Sequence, residues 1–422
     1  MEDTQPTTRE YTKLLLAAAL IGVIAGTVTL LFITLVNYGI EFIFKTLPGL
    51  LGFSGEPQPL FIFAVAVLGG LLVGILVRIF GEKPAILAEL MAEFGKTGRI
   101  EYKDIPGVLL TGFVSMVSGG AMGPEAVLMD VTGGIGTWLA ERTGAERPAK
   151  ASLTFSGHSG MLGSYLSSTF AAPILILDTS TGAVKTLFLI PGIVAASTGI
   201  AAFMFFGGEF LSPIITFSET YDQVRLIDLA YAIPLGLLGG LAGLLYIAMY
   251  HVLRRTLLIP LAGRPVIRGL IGGLGLGIIG AALPITLFSG EGQIEGLVTY
   301  GAEFGVGMLL IVALAKMFLT NLALTSGWKG GYIFPVLFAG AAIGVAADLL
   351  FPIIPQAVAV TAILAAFTVA VLRSPIFVVL LIGVMAGHEL VPAMSIAMVV
   401  SYWMTRNVSL LPKPTEEPNG QQ

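Results

Sequence analysis

Long apolar runs fill the chain, cut into lengths by short polar or glycine- and proline-rich breaks. The first covers 11–44, between Arg9 and Lys45, and the second 60–80, after a Gly/Pro-rich loop at 48–59. Residues 81–105 form the first charged stretch, and 151–178 is an apolar segment rich in small residues. Another run spans 186–207, and a polar stretch near 217–227 divides the chain. The second part has runs at 228–253, 266–289, 303–325, 333–351, 356–372 and 376–404. Several exceed the ~18 residues that mark a membrane-crossing helix. The pattern predicts an all-α polytopic membrane protein, a single membrane domain over 1–422 with a polar tail at 413–422.

One break differs from a simple loop. Ser118-Gly119-Gly120-Ala121-Met122-Gly123-Pro124-Glu125-Ala126-Val127 lies between apolar runs, and Asp130 is the only charge from 126 to 140. Proline suits the first helical position, where its missing N–H would be unpaired anyway. The stretch therefore predicts a broken helix at membrane depth, with a fresh N-terminus near Glu125. Such an end presents free N–H groups and a positive dipole, which attract an anion. Glu125 stands where that anion would sit, so it reads as a tethered anion that blocks a path, moves aside and carries a proton. A first-turn acid also stabilises a helix by up to about 1 kcal/mol, too little to offset burial in lipid.

A second turn repeats the first. Ser326-Gly327-Trp328-Lys329-Gly330-Gly331-Tyr332-Ile333-Phe334-Pro335 lies 208 residues later, and Ser118/Ser326, Gly119/Gly327, Gly123/Gly331, Ile135/Ile343 and Gly136/Gly344 coincide without gaps. Ala172-Pro173 and Ser374-Pro375 match at a spacing of 202. The halves are placed at about 11–215 and 228–407. Broken helices at matching places in two halves point to a midplane binding site between structural repeats. The second turn has no acid and offers backbone N–H groups beside an aromatic and a branched side chain, fit for a dehydrated anion; a helix-packing glycine pair is the plainer reading.

Composition narrows the rest. Hydrophobic residues are 55% and charged residues 11%, against roughly 45–50% and about 25% in soluble domains. The 54 glycines suit close helix packing in lipid. There is no cysteine, and His158, His251 and His388 are far apart, so no metal site and no cofactor is expected. Net charge is −4 without a basic patch, so nucleic acid is not a partner. The start carries no basic n-region or cleavage site, so no signal peptide is expected. Basic residues at 96–103, 142–150, 254–268 and 406–413 put the C-terminus inside by the positive-inside tendency. Asp130 has Lys316 or Arg373 as candidate partners, Asp178 reads as a helix end, and His158 and His388 read as packed neutral histidines. Gly157-His158-Ser159-Gly160 has the shape of an intramembrane serine protease motif, but a serine nucleophile needs a nearby base, and the repeat goes unexplained.

Taken together these residues resemble the chloride channel (CLC) family of anion channels and proton-coupled anion exchangers. Gly123-Pro124-Glu125-Ala126-Val127 with Gly133-Gly134-Ile135-Gly136 resembles its Gly-Arg-Glu-Gly-Pro motif, and Gly330-Gly331-Tyr332-Ile333-Phe334-Pro335 its Gly-Gly-Ile-Phe-Ala-Pro motif. Phe170-Ala171-Ala172-Pro173, Leu287-Phe288-Ser289-Gly290-Glu291-Gly292 and Arg373-Ser374-Pro375 support the match, in family order over about 60–407. The resemblance implies a homodimer in the cell membrane, two inverted repeats of tilted and broken helices per subunit, no appended regulatory domains and cytoplasmic termini. It implies Glu125 as gate, with Gly123, Pro124, Glu125, Ala126, Tyr332, Ile333 and Phe334 at the anion.

The departures are specific. The family's inner serine motif should fall at Phe80-Gly81-Glu82-Lys83-Pro84, its C-terminal tyrosine near Leu411 and its internal proton acid at Ala183, between Gly182 and Val184. None is present; Tyr402 is the nearest tyrosine, and Asp178 lies too early to replace the acid. The expectation is transport of small monovalent anions, chloride foremost, and not an enzyme. The missing acid tilts it toward passive or weakly coupled conduction. A proton-coupled chloride, fluoride or nitrate antiporter is the alternative, and a membrane protease the distant one.

Overall fold

A computed structural model of the chain describes residues 7–53, 58–82, 87–170, 173–175, 186–209, 215–217, 221, 223 and 225–410. The apolar runs become helices that start and stop on local signals. α1 (Thr8–Glu41) opens on a capping box between Thr7 and Glu10. α2 (Pro59–Phe80) begins on proline and stops at Gly81, whose φ of 85° suits glycine. The charged stretch contains its own helix, α3 (Leu87–Thr97), where Leu90 and Phe94 recur at helical spacing and are buried. α4 (Ile105–Val117), α5 (Glu125–Arg142), α6 (Arg147–Leu166) and α7 (Thr186–Phe205) follow. After the divide come α8 (Leu226–Leu253), α9 (Pro265–Ala282), α10 (Ile294–Tyr300), α11 (Gly305–Thr325), α12 (Ile333–Leu350), α13 (Gln356–Leu372), α14 (Pro375–Ala386) and α15 (Val391–Thr405).

Two boundaries differ from the apolar pattern. The run at 376–404 is two helices, because Gly387 takes a φ of 108° and a short 3-10 turn intervenes before α15. The run at 266–289 is helical only to Ala282, and its remainder is an irregular segment that reaches the site. Among the described residues, seven segments are long and apolar enough to cross a membrane. The chain is a multi-pass membrane protein.

Packing order recurs between the halves. α1, α6 and α7 pack on one another, as α8, α13 and α15 do; α5 rests on α6 as α12 rests on α13. The two breaks meet antiparallel, Gly123 against Gly331, where the inverted repeats come together. α2 and α9 join the halves along a glycine seam. A Cβ on Gly74 would stand 2.6 Å from the Val266 Cα, and one on Gly70 2.8 Å from the Gly273 Cα. Such close backbone contact supplies the packing attraction that associates helices in lipid, where burial alone gives little.

The core is the site's support. From Ala357 to Leu372 every residue of α13 is buried, and α12 is buried through most of its length. A helix apolar all round belongs inside a bundle. Hydroxyls in these helices are satisfied locally: Thr361 donates to Ala357 O at 2.6 Å and Thr368 to Leu364 O at 2.6 Å. Local pairing of this kind is what a medium without water requires.

Candidate functional site

Each break turns on a glycine that only a residue without a side chain tolerates well. α4 ends and Gly119 takes a φ of 91°; α11 ends and Gly327 takes a φ of 90°. After Pro124 and Tyr332, the cap residues, α5 and α12 begin at Glu125 and Ile333. Gly123 N–H donates to Gly331 O at 2.9 Å, and Gly331 N–H to Gly123 O at 2.6 Å. Further bonds clamp the junction. Lys329 N–H donates to Ser115 Oγ at 3.0 Å, Thr320 Oγ1 to Ala121 O at 3.0 Å and Trp328 Nε1 to Gly269 O at 3.3 Å. Two helix N-termini therefore converge on one point, each with first-turn N–H groups that no helical carbonyl can take.

Glu125 fills that point. It is fully buried, its Oε1 accepts the Phe334 N–H at 3.4 Å, and its Oε2 has no partner. The first turn's acid thus lies on the second turn's amide. Space for it depends on Gly123 and Gly331, where a Cβ would come within 2.7 Å and 2.6 Å of the Glu125 Cδ. Ala126, Tyr332, Ile333 and Phe334 are buried around the same junction. Gly123 and Pro124 form the turn beneath the carboxylate. The Gly123 N–H is already spent on Gly331 O, and proline has none, so both shape the cradle without donating.

The structure adds residues that spacing did not bring together. Tyr165 O–H donates to Glu291 Oε2 at 2.6 Å, and the Tyr165 ring meets the Phe334 ring edge-on at 5.3 Å. A second carboxylate therefore stands behind the junction; its place in the Ser289-Gly290-Glu291-Gly292 motif was the available signal. Lys316 is buried, and its Nζ donates to the carbonyls of Thr286, Leu287 and Phe288 at 3.1, 3.1 and 2.6 Å. It also lies 4.9 Å from the Phe338 ring centroid. The ammonium holds the irregular segment that carries Glu291, including Phe288 at a φ of 59°.

Lys316 is therefore not the partner of Asp130. Asp130 pairs with Lys329 at 2.7 Å, within the second turn, and Arg373 bonds instead to the carbonyls of Thr405 and Val408. His158 is the packed histidine expected, with Phe94 edge-on at 5.4 Å. His388 is not packed: its side chain is exposed beside Glu389, in the turn that breaks α14 from α15. Ser159 Oγ has no hydrogen-bond partner, so no base activates it, and His251 is engaged with Ser409 O at 3.0 Å. No group of His, Asp and Glu suited to a metal occurs among the described residues. Ala171, Ala172, Asp178, Gly182, Ala183, Val184, Lys83, Pro84, Leu411 and the 413–422 tail lie outside the described residues.

Known proteins agree with this architecture. The family described as "Voltage gated chloride channel" matches residues 69–406. Relatives named "Putative ion-transport protein YfeO", from Salmonella paratyphi A and Salmonella newport, are 25% identical over 98% of this chain and 99% of their own. A crystal structure of a CLC-type fluoride/proton antiporter matches at a TM-score of 0.76 with 22% identity, over 97% of this chain and 99% of that one. One of a slow cyanobacterial Cl-/H+ antiporter matches at 0.79 with 22% identity, over 93% and 94%. With that family matched from residue 69 to 406 and the two breaks meeting at its centre, the chain belongs to the voltage-gated chloride channel (CLC) family, whose members transport anions and are not enzymes.

Proposed function

We propose that the junction of α5 and α12 is the gate and binding site of a transport path for small monovalent anions, chloride foremost. The single observation that carries this is the Glu125 carboxylate lying on the Phe334 N–H. A charged acceptor on a backbone amide is a stronger bond than a neutral one, so the carboxylate competes with an incoming anion for the same donors. When Glu125 swings away or takes a proton, the N–H groups of Glu125, Ala126, Ile333 and Phe334 are left to the substrate. Pro124 and Gly123 hold the turn, and Tyr332 closes it. Glu125→Gln in proteoliposomes tests the gate: chloride efflux should rise and lose its dependence on pH, and an unaltered profile refutes the role.

Proton-coupled exchange is the second reading, and one observation favours it. Ala183 stands where the internal acid was expected, but Glu291 is another acid, joined through Tyr165 to the Phe334 ring. The two solved structures above are named as proton antiporters. Proton movement driven by a chloride gradient decides between exchange and uncoupled conduction, and fluoride or nitrate in place of chloride ranks the substrates. We place the repeats at about 11–215 and 228–407 and the chain as a homodimer in the cell membrane, with cytoplasmic termini. Cross-linking in membranes and protease access to a C-terminal tag test the assembly and the orientation.

A further inference from the structure

The irregular segment after α9 carries an acid that the apolar pattern does not require. α9 starts in the basic stretch at 254–268 and has 18 residues, about 27 Å at 1.5 Å each, close to the hydrocarbon thickness. Glu291 therefore lies toward the face opposite the basic loops, and α11 leads back from that face to the second break. Glu291 is half-buried, whereas Tyr165 and Glu125 are buried. The acid stands between the surface and the gate.

Its place is fixed from several sides. From α6, Tyr165 O–H donates to Glu291 Oε2 at 2.6 Å, and Ser289 Oγ accepts the Glu291 N–H at 3.4 Å. From α11, Lys316 holds the carbonyls of Thr286, Leu287 and Phe288 just ahead of it. From α12, Phe338 packs on Gly290, where a Cβ would stand 2.9 Å from the Phe338 Cβ. On α10, Glu295 is taken up by Thr216 Oγ1 at 2.9 Å. From α5, Glu125 lies within electrostatic reach of Glu291, and both carboxylates act on Tyr165. A proton passes between groups in hydrogen-bond reach or through one water, so a buried carboxyl needs a group that connects it to solvent.

We infer that Glu291 is the proton port of the gate: it takes a proton from the face opposite the basic loops and passes it to Glu125. One proton moves. Glu291 is left anionic and Glu125 becomes neutral, its unpartnered Oε2 being the atom open to the proton. Tyr165, bonded to Glu291 and packed on the Phe334 ring, keeps the port in register with the amide that Glu125 leaves. The role rests on the reading of Glu125 as the gate. A Glu291 that only pins α6 to the segment after α9 predicts a weaker fold on its loss and an unmoved pH response. A charge that only acts on Glu125 through space predicts a pH profile displaced along its axis with the same acid plateau.

Chloride efflux from proteoliposomes holding the full chain, followed from neutral to acid pH, separates these roles. Glu291→Gln keeps an acceptor for the Tyr165 hydroxyl and does not titrate. Its acid plateau is expected to fall by about a hundredfold, the low end of what a placed proton-transfer group contributes, and Glu291→Asp should recover part of it. Beside Glu125→Gln, where no proton is needed, Glu291→Gln should change nothing. A plateau kept in Glu291→Gln overturns the port, whether or not the profile shifts. A loss that persists beside Glu125→Gln overturns it too, because it marks a structural fault. The unaltered chain keeps the two proposals apart. Efflux that ignores acid, or that Glu125→Gln leaves alone, removes the gate and the port together. Acid-driven efflux that Glu291→Gln leaves intact removes the port alone.

Discussion

In the first break Gly123 leads through Pro124 into an acid; in the second Gly331 leads through Tyr332 into an apolar helix start. The backbones are alike: a positive-φ glycine, an extended pairing and a new helix N-terminus. The side chains are not. The first turn supplies the carboxylate, while the second supplies the amide under it, the glycine that makes room and a lysine that pairs with Asp130 of α5. Internal symmetry built a pair of amide-lined turns; the departure from symmetry put a charge of the chain into the space between them. In the function proposed here, that departure is the gate.

The comparison can be broken at its charges first. Removing one member of the buried Asp130–Lys329 pair, by Asp130→Asn or Lys329→Met, should destabilise the fold by up to about 3–5 kcal/mol, because a buried ion pair is broken. The double variant should recover part of that loss; thermal unfolding in detergent measures both, and additive losses would contradict the pairing. Next comes the glycine of the acid-free turn. Gly331→Ala pushes a methyl into the Glu125 carboxyl, an overpacking of about 1–3 kcal/mol that should displace the carboxylate and mimic Glu125→Ala in flux. A Gly331→Ala protein with ordinary pH-dependent flux would show that the acid does not lie against the second turn.

Smaller effects sharpen the account. Tyr165→Phe removes the hydrogen bond to Glu291 and leaves the Phe334 ring contact, a loss of about 1.5–3 kcal/mol for a bond to a charged group. If Glu291 carries protons, the proton-to-anion ratio should fall more than the anion rate; an equal fall in both points to packing alone. Ser159→Ala should lower neither stability nor flux, since the buried hydroxyl it removes has no hydrogen-bond partner. A lost proteolytic activity would be the contrary result.

Helix placement was largely legible, because each apolar run carries its own stops, and Gly123 and Gly331 sit in matching turns that the repeat exposed. That the two turns share one site followed from that repeat, whereas the bond from the Phe334 N–H to Glu125 came only with the structure. Tyr165 with Glu291, at a separation of 126 residues, and Asp130 with Lys329 were not legible. Neither pair shares a motif, and each depends on how α6, the irregular segment after α9 and the second turn pack. Arg268, buried in the first turn of α9, was counted only as a loop charge near the membrane surface. Its burial follows from the glycine seam of α2 and α9, which draws the first turn of α9 inward. His388 went the other way, since a glycine neighbour signals a break as readily as a packed interior.

We propose above all that the Glu125 carboxylate occupies an anion's place on the Phe334 amide, where the two turns meet. Chloride efflux from proteoliposomes, compared between the unaltered chain and Glu125→Gln from acid to neutral pH, tests it most directly. The account predicts that efflux of the unaltered chain rises as pH falls, because protonation releases the carboxylate from the amides. It predicts that Glu125→Gln is faster at neutral pH, by about tenfold for each 1.4 kcal/mol of competition removed, and flat across the range. Identical pH profiles for the two proteins would contradict it.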